Sequence, residues 1–386
     1  MKKIILAGFL FLLLGCKDSA LPTTQVADTT QNWAFDAFEK VDSLNPILNP
    51  TPSLTFECPI TKQPINWEER NVLNPSAVVK GDQVYLFYRA QDVKGTSRIG
   101  LAISSDGLHF KKSPAPVFYP ANDSMKVYEW NYKKTANNAF LTDDCPNCYF
   151  DGVEDPRIVE SADNRYIMTY TAYDGKTARL AIASSKDLTN WTKHGLVFKS
   201  EKYKDKWSKS GAIVVESKGG KQIAKKINGQ YWMYFGDTNL FLASSDDLIH
   251  WEICENEENK QMISVLHPRM GYFDSRLVEP GPYALYKEDG ILLIYNGSNA
   301  ANFNDPNLSK FTYAAGQALF DKNAPHKLIN RTDSYFIYPD KAYEKIGEVN
   351  EVCFVEGLVH FKDKWFLYYG TADSKIAVAV NNEIEF

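Results

Sequence analysis

The feature that most constrains this chain is a five-fold recurrence of paired β-like runs. Residues 84–90 (VYLFYRA) are followed by 99–107 (IGLAISSDG), and 166–172 (YIMTYTA) by 180–187 (LAIASSKD). The pattern returns at 231–236 with 240–246, at 291–297 with 313–319, and at 365–372 with 376–380. Runs rich in β-branched and aromatic residues, closed by Ser and Asp, read as strands ending in turns. The equivalent tyrosines are Tyr88, Tyr170, Tyr234, Tyr295 and Tyr369. Their spacing suits a four-stranded antiparallel unit of about 40 to 60 residues plus loops. Helical periodicity is nearly absent. The expectation is an all-β, five-bladed β-propeller occupying residues 33–386 as one domain. A β-sandwich would not explain five copies.

Composition sharpens this reading. The 386 residues carry a formal net charge of −5, with 22 Tyr, 22 Phe and 8 Trp. So much apolar side chain excludes a mostly disordered chain. A sequence pI near 5.8 argues against a nucleic-acid partner held by bulk charge. Excess rings in an acidic chain suit a carbohydrate partner, although β-rich packing alone also calls for them.

The N-terminus reads as an address. Lys2 and Lys3 precede an eleven-residue apolar stretch, Ile4 to Leu14, too short to span a membrane as a helix. It ends in Leu13-Leu14-Gly15-Cys16, which resembles a bacterial lipobox. Residues 1–16 are therefore expected to be a lipoprotein signal with Cys16 as the lipidated residue. Residues 17–32 are expected to form a polar tether, and the protein is expected to sit lipid-anchored at the bacterial cell envelope. Membrane contact is expected only through that lipid. Five further cysteines remain, and Cys145 and Cys148 form a lone CxxC. With no second CxxC, a closed zinc site is not expected.

In a propeller, ligands bind where inner strands and loops converge on the axis, so polar residues at blade entrances are the candidates. Asn74-Pro75 opens the first repeat and Arg89 ends its run. Residues 152–157 (GVEDPR) precede the second repeat, and Asp237 follows the third run. Asp274 and Glu279 precede the fourth; Glu351, Glu356 and Asp373 frame the fifth. Each could be an ordinary turn residue, but their recurrence favours a shared site. Several carboxylates with arginines and rings suit glycoside chemistry, which needs one protonated carboxyl and one carboxylate. The six His show no metal-ligand spacing, no calcium-loop pattern is visible, and no cofactor is implied.

At these residues the chain resembles glycoside hydrolase family 130, which groups β-mannoside phosphorylases and β-1,2-mannosidases on five-bladed propellers. The markers are residues 74–78 (NPSAV), 88–90 (YRA), 152–157, 273–275 (FDS), Tyr343-Glu344 and 368–373 (YYGTAD). The resemblance implies a mannoside substrate and makes Asp155 the general acid. It also implies that Asn74, Arg89, Arg157, Asp274 and Asp373 hold the sugar. Tyr295, Asn296 and Glu356 are further expected binding residues. Glu154 is expected to raise the pKa of Asp155 by like-charge repulsion.

The departures from the resemblance bear on the reaction. The phosphorylases carry His-Arg where this chain has Tyr234-Phe-Gly-Asp237, and Tyr-His-Gly where it has Tyr295-Asn-Gly297. Glu279 replaces a small neutral residue. Carboxylates repel a phosphate dianion and can deprotonate water. The expectation is an inverting hydrolase with Asp155 as acid and Glu279 as base. Asp237 shares in positioning the water and Glu356 stands in reserve. The alternatives are a phosphorylase whose phosphate site uses Lys209 or Arg276, and a non-catalytic glycan-binding propeller.

Overall fold

The computed structural model describes residues 33–131, 133, 150–209 and 211–383. The lipobox, the tether, Cys145 and Cys148 lie outside the described residues. The described chain is nearly all β, with short helices at Lys126–Glu129 and Ala342–Lys345. No helix among the described residues is long and apolar enough to cross a membrane.

The strands pair as successive antiparallel sheets. The first contains Asn71–Lys80, Gln83–Gln91, Thr96–Ser104 and Lys111–Lys112. The second contains Asp151–Glu160, Tyr166–Tyr173, Ala178–Ser185 and Trp191–Leu196. In the third, Gly211–Lys218 pairs with Gln230–Phe235, then Leu240–Ser245, then Glu252–Ile253 and Ser264–Leu266. The fourth opens with Leu277–Pro280 and Ala284–Tyr286 against Ile291–Ser298, followed by Tyr313–Phe320 and Leu328–Arg331. The fifth runs Cys353–Phe361, Lys364–Thr371, Lys375–Asn381, and takes Glu39–Lys40 from the chain start as its outer strand. That last pairing covers an edge that would otherwise stay open.

The first strands of the first, second and fifth sheets are buried almost throughout, because both faces of these sheets are packed. Val78, Phe87 and Leu101 of the first sheet pack with Ile158, Met168 and Tyr170 of the second. Tyr234 and Leu242 of the third meet Leu293 and Phe320 of the fourth. Leu86 and Tyr88 of the first meet Val359 and Tyr368 of the fifth. One further cluster holds residues of the second and third sheets and of the fourth and fifth. Neighbouring sheets also touch through parallel bridges, Thr96 and Ser97 to Asp151 and Gly152. A Cβ on Gly152 would lie 2.2 Å from the Ser97 carbonyl oxygen, so only glycine allows this approach.

The recurring tyrosines have a common structural use. Tyr88, Tyr170, Tyr295 and Tyr369 each donate a hydroxyl to a buried carboxylate, namely Glu68, Glu129, Asp274 and Glu344, over 2.7–2.9 Å. Each carboxylate also pairs with a cation on or beside the sheet's outer strand: Lys112, Lys193, Arg331 and Lys40. The four acids follow an aromatic residue: Trp67, Tyr128, Phe273 and Tyr343. The third sheet departs, since the Tyr234 hydroxyl donates to the Pro325 carbonyl at 2.8 Å. Trp207-Ser208 stands ahead of its first strand.

The Ser–Asp turns also repeat. In three sheets Asp106, Asp187 and Asp247 each accept backbone N–H groups two and three residues ahead. The third of these turns uses Asp247, one residue beyond Asp246 where the sequence run closes.

Candidate active site

In four sheets the first strand is interrupted at the residue the site needs. The ladder slips between Leu73 and Pro75, between Glu154 and Arg157, and between Val355 and Gly357. In the fourth sheet it stops at Pro280 and resumes at Ala284. These breaks fall at or beside Asn74, Asp155, Glu356 and Glu279. A bulge re-aims a side chain that would otherwise alternate into the sheet packing. Asn74 and Asp155 adopt φ values of 47° and 50°, and each precedes a proline. Asn and Asp are among the few non-glycine residues that tolerate this region.

The bulges bring a dense charge cluster together. Asn74 Nδ2 donates to Asp155 Oδ1 at 2.8 Å. Arg89 reaches Asp155 Oδ1 at 3.3 Å and Glu154 Oε1 at 2.8 Å, and Ser97 donates to Glu154 at 3.0 Å. Burial pushes the Asp155 carboxyl up, but the Arg89, Lys209 and Arg157 charges and the Asn74 amide outweigh it and hold it below its ordinary value. Glu154 is raised, by burial first and by Asp155 against the Arg89 charge. This corrects the expectation that Glu154 lifts Asp155. The cations and the amide bond crowd Asp155 and lower it, while Glu154 is raised.

Glu279 is 6% exposed and is pushed up to about 8, chiefly by burial, with Asp237 and Asp155 adding to the rise and Lys209 opposing it. Asp373 is raised to about 6 by burial, against Arg89. Burial also holds Glu356 well above the usual carboxylate range, with Arg157 opposing. Lys209 is raised although burial works against it, because Glu279, Asp155, Glu154 and Asp237 all surround it.

Two adjoining cavities meet at Trp207 and Lys209. One of 310 Å³ is lined by Arg89, Glu154, Tyr173 and Asp373. The other, of 430 Å³, is lined by Asp237, Arg276, Glu279 and Tyr313. Trp207 is 41% exposed, its Nε1 donates to Asp237 Oδ2, and it meets Tyr173 edge-on at 6.2 Å. A half-exposed tryptophan pinned through its N–H presents a rigid face to a ligand.

Of the expected residues, Arg89, Asp373, Asp237 and Glu279 line these cavities, whereas Asn74, Asp155 and Glu356 lie behind the lining beside Arg89 and Arg157. Arg157 is buried, with three nitrogens donating at 3.0 Å to the carbonyls of Gly281, Asp155 and Pro280. Its Nη2 also lies 2.6 Å from Glu356 Oε1. It therefore ties the Asp155 bulge to the break beside Glu279. Asn296 donates to the Val355 carbonyl at 3.0 Å and accepts from its N–H at 2.8 Å, clamping the bulge next to Glu356. Asp274 and Tyr295 belong to the repeated tyrosine–carboxylate–cation group, where Arg269 and Arg331 complete the partners of Asp274. Arg157, Asn296, Asp274 and Tyr295, expected to contact the sugar, are each engaged in these internal bonds. Glu351 enters through its backbone, its carbonyl accepting from the Tyr313 N–H at 2.9 Å.

Trp207, Tyr173 and Tyr313 escape the sequence reading, and Lys209 and Arg276 enter it only as phosphate ligands of the alternative. The signal is present nonetheless. Trp207-Ser208 stands where other repeats carry an aromatic residue followed by an acid. Among the described residues no group of three or more His, Cys, Asp or Glu is arranged to hold a metal. Cys58, Cys254 and Cys353 are free thiols.

Comparison with known proteins gives the family. The glycoside hydrolase family 130 model, described as β-1,4-mannooligosaccharide phosphorylase, matches residues 38–385. The β-1,2-mannobiose phosphorylase of Thermoanaerobacter sp. (strain X514) is 30% identical over 330 residues, covering 81% of this chain and 91% of its own. The crystal structure of a glycosyl hydrolase from Bacteroides ovatus is 43% identical with a TM-score of 0.84, covering 92% of this chain and 96% of that one. A solved structure described with family 130 glycoside hydrolases that target β-1,2-mannosidic linkages in Candida mannan is 42% identical. Its TM-score is 0.84, covering 92% of this chain and 97% of that one. With the match spanning nearly all of the described residues and both cavities, the chain belongs to glycoside hydrolase family 130 and is an enzyme that acts on mannosides.

Proposed function

We propose that the protein is an inverting hydrolase of β-1,2-linked mannosides, built on a five-bladed propeller whose blades are the five sheets. The cyclic order of sheet packing, with the fifth sheet against the first, supports the propeller. The observation that carries the hydrolase reading is the surroundings of Lys209. Its ammonium faces Glu279, Asp155, Glu154 and Asp237. Those of the four that are ionised offset that charge and weaken its attraction for an entering phosphate dianion. The solved relative described as targeting β-1,2-mannosidic linkages supports the same reading.

In this reading Asp155 protonates the departing glycosidic oxygen, directly or through a sugar hydroxyl, and Glu279 takes a proton from the attacking water. Inversion calls for roughly 6.5–9.5 Å between acid and base, or more with a relay. The resting enzyme has Asp155 ionised and Glu279 protonated near neutral pH. The reactive form has the same number of protons with one moved to Asp155. Either arrangement gives a bell-shaped pH profile with the same limbs. In this reading Arg89, Asn74 and Asp373 hold the sugar, and Trp207 stacks on it.

A phosphorylase is the second reading, favoured by Lys206, Lys209 and Arg276 lining the same cavity as Glu279. One experiment separates the two. β-1,2-Mannobiose is incubated with and without phosphate and the products are followed by NMR. The hydrolase releases α-mannose at a rate indifferent to phosphate; mannose 1-phosphate as the main product would establish the phosphorylase. We further propose that residues 33–386 form the catalytic domain behind a lipid anchor on Cys16 at the cell envelope. Loss of palmitate labelling in Cys16→Ser tests the anchor.

A further inference from the structure

The connection between the second and third strands differs in one sheet. It comprises residues 92–95, 174–177, 236–239 and 372–374 in four sheets, but 299–312 in the fourth. These connections lie on the cavity face, since Asp237 and Asp373 belong to two of them. A connection lengthened by about ten residues on that face alone is a candidate for function rather than for folding.

The insertion is tied together by internal hydrogen bonds. Buried Asn299 donates through Nδ2 to the carbonyls of Asp305, Leu308 and Ser309 at 3.0–3.1 Å and accepts from the Asp305 N–H at 2.9 Å. Its backbone bonds to Thr312 and Phe311, both at 2.9 Å. Ala300 N–H is held by Ser275 Oγ, and the Phe303 carbonyl accepts from Gly271 N–H. This frame displays apolar side chains outward: Phe303 is 74% exposed, Phe311 49%, Met270 71% and Tyr272 37%. Phe303 and Phe311 adopt φ values of 54° and 68°. Bulky residues rarely take that region, and such strain persists only where the surroundings over-determine it.

The exposed group reaches the active site through Phe311. The Arg276 guanidinium lies 5.1 Å from the Phe311 ring centre. Arg276 also lines the cavity beside Glu279 and Tyr313. A chain of sugars leaving that cavity past Arg276 meets Phe311. Pyranose faces carry C–H groups that pack on aromatic rings, and a preformed platform binds them without an ordering penalty.

We propose that the 299–312 loop, with Met270 and Tyr272 beside it, is an aromatic platform that binds the outer sugars of an oligomannoside. It makes the enzyme prefer chains longer than a disaccharide. This rests on the mannoside reading of the cavity but is independent of whether water or phosphate attacks.

The test compares β-1,2-mannobiose with β-1,2-mannotetraose on the intact protein, by substrate consumption and by calorimetry on a Glu279→Gln background. Phe303→Ala and Phe311→Ala together are expected to lower kcat/KM for the tetraose about tenfold, through KM, with mannobiose changed less than about twofold. Tetraose affinity falls by the same factor, and Phe303→Tyr restores it. Equal losses on both substrates, or loss on neither, would overturn the platform. Calorimetry keeps the two ideas apart. Phenylalanine-dependent tetraose binding without turnover would support the platform and sink the proposed reaction. Tetraose affinity that ignores both substitutions sinks the platform. Sedimentation of the same variants covers the competing occupant, and a dimer that dissociates on substitution would assign the face to a second copy and overturn the proposal.

Discussion

Asn74 Nδ2 donates to Asp155 Oδ1 across 2.8 Å, from two strands whose ladders both slip at those residues. The pair joins the first sheet to the second at the point where both chains adopt left-handed backbone. The contact favours ionised Asp155, because an amide donor stabilises the charged form.

Asn74→Ala removes that donor, so the Asp155 carboxyl rises toward its ordinary value. The acid limb of kcat/KM, set by the proton pair containing Asp155, is expected to move to higher pH. A pH–rate series on β-1,2-mannobiose checks this, and an unmoved acid limb counts against Asp155 in the pair.

Glu279, pushed up to about 8, sets the alkaline limb. Above that pH both members of the acid–base pair are ionised and activity falls. Glu279→Gln is expected to lower kcat by about 10²–10⁴ and to abolish the limb near 8. If the limb survives the substitution, another group carries it.

Arg157 bridges the Asp155 bulge and the Pro280–Gly281 break. Arg157→Met removes the donor to three carbonyls and the cation beside buried Glu356, and should destabilise by about 1–3 kcal/mol. Urea denaturation measures it. Arg157→Lys keeps the charge but not the planar fork. It should lower kcat while leaving KM within about threefold, as a positioning residue does.

The tyrosine–carboxylate–cation groups predict stability effects remote from the chemistry. Glu68→Ala strands Lys112 and the Tyr88 hydroxyl and should destabilise by about 3 kcal/mol, against about 1 kcal/mol for Tyr88→Phe. Thermal unfolding with unchanged kcat is the expected result for both.

The turn aspartates predict acid sensitivity. Asp187 is held below its ordinary value by the Asn190 side chain and the backbone N–H groups of Asn190 and Thr189. A depressed folded-state pKa stabilises the fold above the unfolded value of about 3.9, and that contribution is lost as pH falls further. Asp187→Ala should therefore lower the melting temperature at pH 7 and flatten its decline below about pH 4.

Much of the architecture was legible along the chain, because strands and turns depend on local chemistry. The five runs around Tyr88, Tyr170, Tyr234, Tyr295 and Tyr369 all proved to be strands. The recurring tyrosine marked a repeated hydrogen bond, although the bond's purpose needed the partner carboxylate, which lies 20 residues away in one sheet and 41 in another. Asp155 and Glu279 stood out by position and motif, and the structure gathers them around Lys209. Arg157, Asn296 and Asp274 carried the same outward signs. Their internal bonds could not be read from the sequence, since the partners are backbone carbonyls and side chains of other strands.

By itself the sequence determined an all-β chain of five repeats with acids at the repeat entrances, because periodicity and turn chemistry act over a few residues. Only the tertiary structure decided which of those acids are raised and which lowered, which arginine braces the bulges, and where Trp207 and the 299–312 loop stand. Those outcomes depend on burial and on charges brought together from distant strands. A glutamate that titrates near its ordinary value of about 4.3 in water is pushed up to about 8 at position 279 by what surrounds it.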